Sequence, residues 1–131
     1  MYLLDTNICI YIRRERPPKV AERFRLISPD ALAMSSITFA ELVYGARKSQ
    51  AVADNMERLL ALRRRIRVLP FDDGAAEAYG VIRADLERRG QLIGSNDMLI
   101  AAHALSLGAT LVTNNLGEFE RVAGLQVENW V

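Results

Sequence analysis

Short apolar runs alternate with longer amphipathic segments along this chain. The apolar runs predict strands at 2–4, 32–34, 66–69 and 109–113, with a shorter fifth run at 125–127. The segments between them carry apolar residues at helical spacing and predict helices over 7–14, 18–27, 37–49, 51–65, 74–89 and 95–107. Because the predicted strands are continuously apolar, they suit a parallel sheet that is covered by helices on both faces. We therefore expect a three-layer α/β/α fold with a mainly parallel central sheet of four to five strands.

Residues that start and end helices support these boundaries. Thr6 or Asn7 is predicted to cap the first helix, and Ser36 the helix after the second strand. Gly90 and Gly108 follow the last residues of two later helices, where glycine is the usual terminating residue. No repeat and no Gly- or Ser-rich linker divides the chain, so residues 1–131 are expected to form a single domain.

Composition narrows the classes of protein that remain. The formal net charge of +1 does not indicate a nucleic-acid-binding protein, although arginines cluster at 13–16, 63–67 and 88–89. Each arginine cluster is equally well explained as a solvated helix face or as a phosphate contact. The single cysteine, Cys9, excludes an internal disulfide and a multi-cysteine zinc site. The sequence has neither an apolar run of about twenty residues nor a secretory signal, so we expect a cytoplasmic protein without a membrane span.

Acidic residues fall where a parallel sheet would bring them together. Asp5 ends the first predicted strand, Glu41 lies on the second turn of the helix after the second strand, and Asp97 lies in the first turn of the helix before the fourth strand. Glu118 follows the fourth strand in a loop. Ligands of parallel α/β sheets bind beyond the carboxyl ends of the strands, near the point where the strand order reverses. The sequence therefore predicts that these carboxylates share one site.

Carboxylates in one site favour a bound cation. Like charges within several ångströms raise one another's pKa unless a cation neutralises them. Oxygen ligands suit Mg²⁺ or Mn²⁺, and such ions promote phosphodiester cleavage by activating water and stabilising charged oxygens. Asp5, Glu41 and Asp97 are therefore candidates for a site that binds Mg²⁺ or Mn²⁺.

Each of these residues also has a structural interpretation. Asp97 could favour the start of its helix through the helix dipole, and Glu41 could pair with an arginine. Glu118 could be an exposed loop acid, and Asn115 could simply form a turn. Asp5 is harder to explain in this way, because a carboxylate directly after a buried strand costs free energy unless it is paired.

Four segments resemble those of PIN-domain ribonucleases, most closely the VapC toxins. They are LLDTN with Asp5 and Thr6, SSITFAELVYGA with Glu41, IGSNDMLIAAHALSLGATLVTNN with Asp97, and the ending TNNLGEFERVAGLQVENW. The resemblance covers nearly the whole chain. It implies Asp5 and Asp97 as the central metal ligands, Glu41 as a direct or water-mediated ligand, and Thr6 as a supporting residue. It also implies cleavage of structured RNA, often a tRNA or rRNA loop, together with inhibition by a VapB-type antitoxin and a homodimer.

One segment departs from the PIN pattern. Many PIN domains have Thr-X-Asp after the fourth strand, whereas this chain has Thr113, Asn114 and Asn115. Asparagine offers a carbonyl oxygen without negative charge. The fourth catalytic position is therefore assigned to either Asn115 or Glu118, and Glu118 is favoured for its charge.

Two other classes of α/β protein fit the sequence less well. A haloacid-dehalogenase phosphatase needs a second acid where this chain has Asn7, and a response-regulator receiver needs an acidic pair and a lysine that are missing here. A catalytically silent binding module and a 5′-nuclease or DNA nuclease with the same acidic site remain open alternatives. His103, Cys9 and Trp130 are predicted to be packing residues rather than site residues.

Overall fold

The computed structural model describes residues Met1–Val131, which form one parallel sheet with helices on both faces. The strands are β1 (Tyr2–Leu4), β2 (Leu32–Ser35), β3 (Arg67–Leu69), β4 (Thr110–Val112) and β5 (Val127–Glu128). The helices are α1 (Thr6–Arg14), α2 (Pro18–Leu26), α3 (Ser36–Arg47), α4 (Val52–Arg65), α5 (Asp73–Arg88), α6 (Ser95–Leu107) and α7 (Leu116–Phe119), with a 3₁₀ turn at Pro29–Ala31. The expected three-layer fold is confirmed, and every strand pair is parallel.

The strand order is β3-β2-β1-β4-β5, which makes β1 the central strand. Tyr2 is in register with Leu32 of β2 on one side, and Leu3 with Leu111 of β4 on the other. Strands β2 and β3 lie on one side of β1, and strands β4 and β5 lie on the other side. The order therefore reverses between β1 and β4, so the crevice beyond their carboxyl ends is where a ligand site is expected.

Two apolar cores cover the two faces of the sheet. Leu3 of β1 packs with residues of α5 and α6, whereas the next residue, Leu4, packs with residues of α1, α2 and α4. Successive strand residues point to opposite faces, so both sides of these short strands must be apolar. Cys9 and Trp130 belong to the second core, as predicted, and the Trp130 ring packs edge-on against Tyr2 at 5.6 Å between centroids.

The helix caps differ from the sequence prediction by one residue. Asp5, rather than Thr6 or Asn7, caps α1, and Ser35, rather than Ser36, caps α3. In both cases the strand runs directly into the helix, so the last extended residue is also the cap. An N-cap needs an extended backbone and a side-chain oxygen that accepts an N–H two or three residues later, and both residues meet these requirements. This arrangement places Asp5 at the junction between β1 and α1.

The C-terminal part of the chain was predicted less accurately. The fifth strand lies at Val127–Glu128 rather than at 125–127, and α7 was predicted as a loop. Helix α7 has only four residues, which is too short to show an apolar repeat at helical spacing. None of the helices combines the length and the apolar character that crossing a membrane requires.

Candidate active site

Asp5 lies at the carboxyl end of the central strand and is only 6% exposed. Its Oδ1 atom accepts a hydrogen bond of 2.9 Å from the backbone N–H of Ile8. Burial raises the pKa of Asp5 and the nearby charge of Glu41 raises it further, although hydrogen bonds from Thr113 and Ile8 act in the opposite direction. Asp5 therefore holds a carboxylate in place in surroundings that disfavour its negative charge.

Glu41 reaches the same edge of the sheet from the second turn of α3. The hydroxyl of Thr6 donates a hydrogen bond of 2.7 Å to Glu41 Oε1. Thr6 directly follows Asp5 in the chain. Asp5 supplies one carboxylate of the site, and Thr6 orients the carboxylate of Glu41. This contact also joins the start of α1 to α3.

The pKa of Asp97 is affected by the other predicted acids. The pKa of Asp97 is raised to about 7, first by burial, then by a hydrogen bond with Glu118 and its charge, and then by the charges of Asp5 and Glu41. Such repulsion acts between charges within roughly 10 Å of one another. The four predicted acids, which come from separate parts of the chain, therefore lie at the same edge of the sheet, next to the reversal in strand order.

Both candidates for the fourth position lie at this site. The Asn115 side-chain amide donates a hydrogen bond of 3.0 Å to Glu118 Oε2, while the Asn115 backbone N–H donates one of 3.0 Å to the Thr113 hydroxyl. Glu118 in turn contacts Asp97. The short helix α7, which the sequence did not predict, brings Glu118 back toward the other acids.

The donor set suits a hard divalent cation, because every group is a carboxylate or amide oxygen. As the side chains stand, however, no three acidic, histidine or cysteine side chains are arranged to hold one ion together. Their oxygens are instead engaged by Ile8, Thr6, Asn115 and by one another. The assignment of Asp5, Glu41 and Asp97 as metal ligands therefore stays a prediction.

Comparison with known proteins identifies the family. Residues 2–125 match the profile of the PIN domain. The chain is 46% identical over 129 residues to the tRNA(fMet)-specific endonuclease VapC of Shigella flexneri, covering 98% of this chain and 97% of that protein. It is also 46% identical to ribonuclease VapC2 of Haemophilus influenzae, with coverages of 99% and 98%. The chain belongs to the VapC family of PIN-domain ribonucleases.

Solved structures of the VapC family have the same fold. The DNA-bound VapBC of Salmonella typhimurium matches with a TM-score of 0.94 and 44% identity, covering 99% of this chain and 98% of that one. VapBC2 from Rickettsia felis, bound to a DNA fragment from its promoter, matches with a TM-score of 0.93, 40% identity and the same coverages.

Two features of this VapC-family site were not predicted from the sequence. Gly94 precedes α6, and a Cβ atom at this position would lie 3.2 Å from Asp97 Oδ2. The missing side chain therefore leaves room for the Asp97 carboxylate. The sequence signal was a glycine three residues before a candidate ligand, which is too common to interpret alone.

The second feature is a buried contact between α6 and the start of α3. His103 Nδ1 lies 2.8 Å from the Ser35 hydroxyl, which also accepts the Ile37 N–H. Burial lowers the pKa of His103, so its neutral form is favoured. His103 faces the core while Asp97, on the same helix, faces the acids, which confirms the predicted packing role of the histidine. This contact links the helix that carries Asp97 to the helix that carries Glu41.

Proposed function

We propose that this chain is a metal-dependent endoribonuclease, the toxin of a VapBC-type toxin–antitoxin pair, which cleaves structured RNA at a tRNA or rRNA loop. The proposal rests on the placement of Asp5, Glu41 and Glu118 around Asp97, whose pKa is raised to about 7 first by burial and then by these neighbours. Such a concentration of negative charge repels a phosphodiester unless a cation is present. The name of the Shigella relative makes tRNA(fMet) the first substrate to test.

The chain's own residues would prepare the site for Mg²⁺ or Mn²⁺. Asp5 and Asp97 would bind the ion, with Glu41 binding it directly or through water. A bound ion of this kind supplies an activated water and neutralises charge on the phosphate oxygens. Thr6 orients Glu41 by its hydrogen bond of 2.7 Å, and the Ile8 N–H fixes one oxygen of Asp5. The partial burial of the acids strengthens their interaction with any cation that enters.

The partners follow from the family. VapBC complexes among the structural relatives support a VapB-type antitoxin as the inhibitor of this chain. An RNA substrate of this kind would place the protein in the cytoplasm. The homodimer that the sequence resemblance implies stays a prediction.

The direct test incubates the purified protein with tRNA(fMet), a second structured RNA and single-stranded DNA of equal length. We expect cleavage of RNA at a defined loop position when Mg²⁺ or Mn²⁺ is present, and no cleavage in EDTA. Cleavage of DNA but not RNA would instead support the DNA-nuclease alternative. Binding of RNA without cleavage under all metal conditions would support a silent binding module.

Glu118 and Asn115 can be separated by a pair of substitutions. We expect Glu118→Gln to reduce the rate of RNA cleavage by about 10- to 100-fold, the range typical of residues that support metal ligands. Asn115→Asp should have a smaller effect, because Asn115 contacts the site through Glu118. Rates measured at saturating Mg²⁺ check this order, and a larger loss in Asn115→Asp would reassign the fourth position to Asn115.

A further inference from the structure

The arginine clusters of this chain differ in whether their charge is neutralised. Arg83 and Arg89 on α5 form ion pairs with Glu87 and Asp85 at 2.9 Å and 2.7 Å. In contrast, no carboxylate oxygen lies within 4.0 Å of the charged nitrogens of Arg13, Arg14 or Lys48. Unpaired cations that lie close together are the feature of this surface that calls for an anionic partner.

These unpaired cations line a cleft between α1 and α3. On α1 the lining residues are Thr6, Ile10, Arg13 and Arg14, a spacing that puts them on one face of the helix. On α3 and its C-cap the lining residues are Glu41, Leu42, Gly45, Ala46 and Lys48, which also share one face. Asn55 of α4 completes the wall. The cleft therefore starts at the candidate active site and runs along both helices.

The cleft has charge of opposite sign at its two ends. Thr6 and Glu41 lie at the end next to the acids, and Arg13 and Lys48 each come seven residues later on their helices. At a rise of 1.5 Å per residue the backbone positions of Arg13 and Lys48 lie about 10 Å farther along the helix axes. No ion pair joins Lys48 to Glu41, so the positive charge at this end of the cleft is free to meet an anionic ligand.

The positive end continues beyond the cleft. Arg13 also lines an adjoining surface groove with Arg58 and Arg65. Burial and the charges of Arg14 and Arg58 lower the pKa of Arg13, which shows that these cations repel one another in the free protein. On the other side of Arg58, Asp54 and Glu57 line a separate depression and mark the border of the positive surface.

We propose that this cleft binds the RNA backbone beside the cleaved bond, with Arg13, Arg14 and Lys48 contacting phosphates that flank the scissile one. This inference rests on the proposed ribonuclease function and adds the path that the RNA follows. Because Arg13 and Lys48 lie about two helical turns beyond Thr6 and Glu41, the cations would contact flanking phosphates and orient the strand rather than act on the reacting phosphate. Arg58 extends the same path onto α4.

RNA explains the cleft better than an acidic peptide of a partner protein. The cleft reaches Thr6 and Glu41 at the candidate active site, where the scissile phosphate of a bound RNA has to enter. Guanidinium groups form paired hydrogen bonds with carboxylates as well as with phosphates. An acidic segment of the antitoxin is therefore the competing occupant, which the experiment has to distinguish.

The test compares Arg14→Gln/Lys48→Gln with a control that removes two arginines from α5, Arg83→Gln/Arg88→Gln. Both pairs remove two charges from exposed positions, so their net charges match. RNA affinity is measured over a range of salt concentrations in the uncleaving Asp5→Asn background, and kcat and KM are measured in the native background. A single-strand phosphate contact contributes about 0.7 to the salt slope, so we expect the cleft pair to lower the slope by about 1.4 and weaken binding roughly tenfold.

The outcomes separate this proposal from the proposed function. A higher KM with kcat nearly unchanged in the cleft pair, and native behaviour in the control pair, would support the RNA path. Equal RNA affinity and salt slope in both pairs would overturn it, and so would a loss of antitoxin affinity alone. If the native protein fails to cleave any RNA while the cleft pair still loses RNA affinity, the nuclease function is wrong and the binding path stands.

Discussion

Asp5→Asn is expected to abolish RNA cleavage while leaving the protein folded. The carboxylate would contribute one of the central charges that hold the divalent cation. A catalytic metal contributes several kcal/mol, so its loss corresponds to a rate reduction of roughly 10³-fold or more. Folding should survive because asparagine caps helices as well as aspartate does and can still accept the Ile8 N–H. Cleavage rates and circular dichroism on the same preparation measure both effects.

Asp72→Asn is the matched control for this substitution. Asp72 caps α5 through the same contact, with its Oδ1 accepting the Ala75 N–H at 3.0 Å, but it is not one of the acids around Asp97. We expect this variant to cleave at the native rate. A folded Asp5→Asn protein that also cleaves at the native rate would contradict the assignment of Asp5.

The position of Asp5 could be predicted because it depends on few assumptions. An apolar run that ends in an aspartate, followed by a helix, places a carboxylate at the edge of a parallel sheet whatever the packing of the helices. Asp97 required only that its helix begin at the same edge. These two residues follow from element order alone.

Other contacts depend on how the helices are rotated about their axes, which a single sequence does not determine. The hydrogen bond between Thr6 and Glu41 requires that one face of α3 turn toward α1. The contact between His103 and Ser35 requires a matching rotation of α6 against the sheet. Both arise from side-chain packing across the cores, and the hydrophobic pattern gives only the buried face of each helix.

The arginines illustrate the same limit. The sequence left each cluster open as a solvated face or a phosphate contact, and the clusters differ in the structure. Arg89 is paired with Asp85, and Arg63 lies over the Phe39 ring at 5.0 Å, whereas Arg13 and Arg14 line the cleft that reaches Glu41. The sequence could not show which arginines are paired and which line the cleft, because the partner of a paired arginine lies on another turn or on another helix.

Asp97→Asn is expected to change activity and stability in opposite directions. Cleavage should be lost for the same reason as in Asp5→Asn. The metal-free protein should become more stable at neutral pH, because the substitution removes one charge from a group of mutually repelling carboxylates. Asp97 is partly exposed, so solvent screens this repulsion and the gain should be of order 1 kcal/mol, or about 4 °C in Tm.

The pH dependence of this gain follows from the raised pKa. In the native protein the Asp97 pKa is raised from 3.8 to about 7, so the folded state holds a proton that the unfolded state has released between these values. The stability that this proton provides is present below pH about 4 and is lost as the pH rises through about 7. The Tm difference between Asp97→Asn and the native protein should therefore be near zero at acidic pH and largest above pH about 7.

The test needs a control substitution at another helix start and a comparison of Tm values with and without Mg²⁺. Asp54 occupies the third position of α4, as Asp97 does in α6, so Asp54→Asn reproduces any effect of removing a charge from the first helical turn. Millimolar Mg²⁺ should raise the Tm of the native protein and of Asp54→Asn, because a ligand that binds only the folded state stabilises it. It should not raise the Tm of Asp97→Asn. If Asp97→Asn and Asp54→Asn lower the metal-free Tm equally at pH 8, Asp97 acts at its helix start and the shared carboxylate site is wrong.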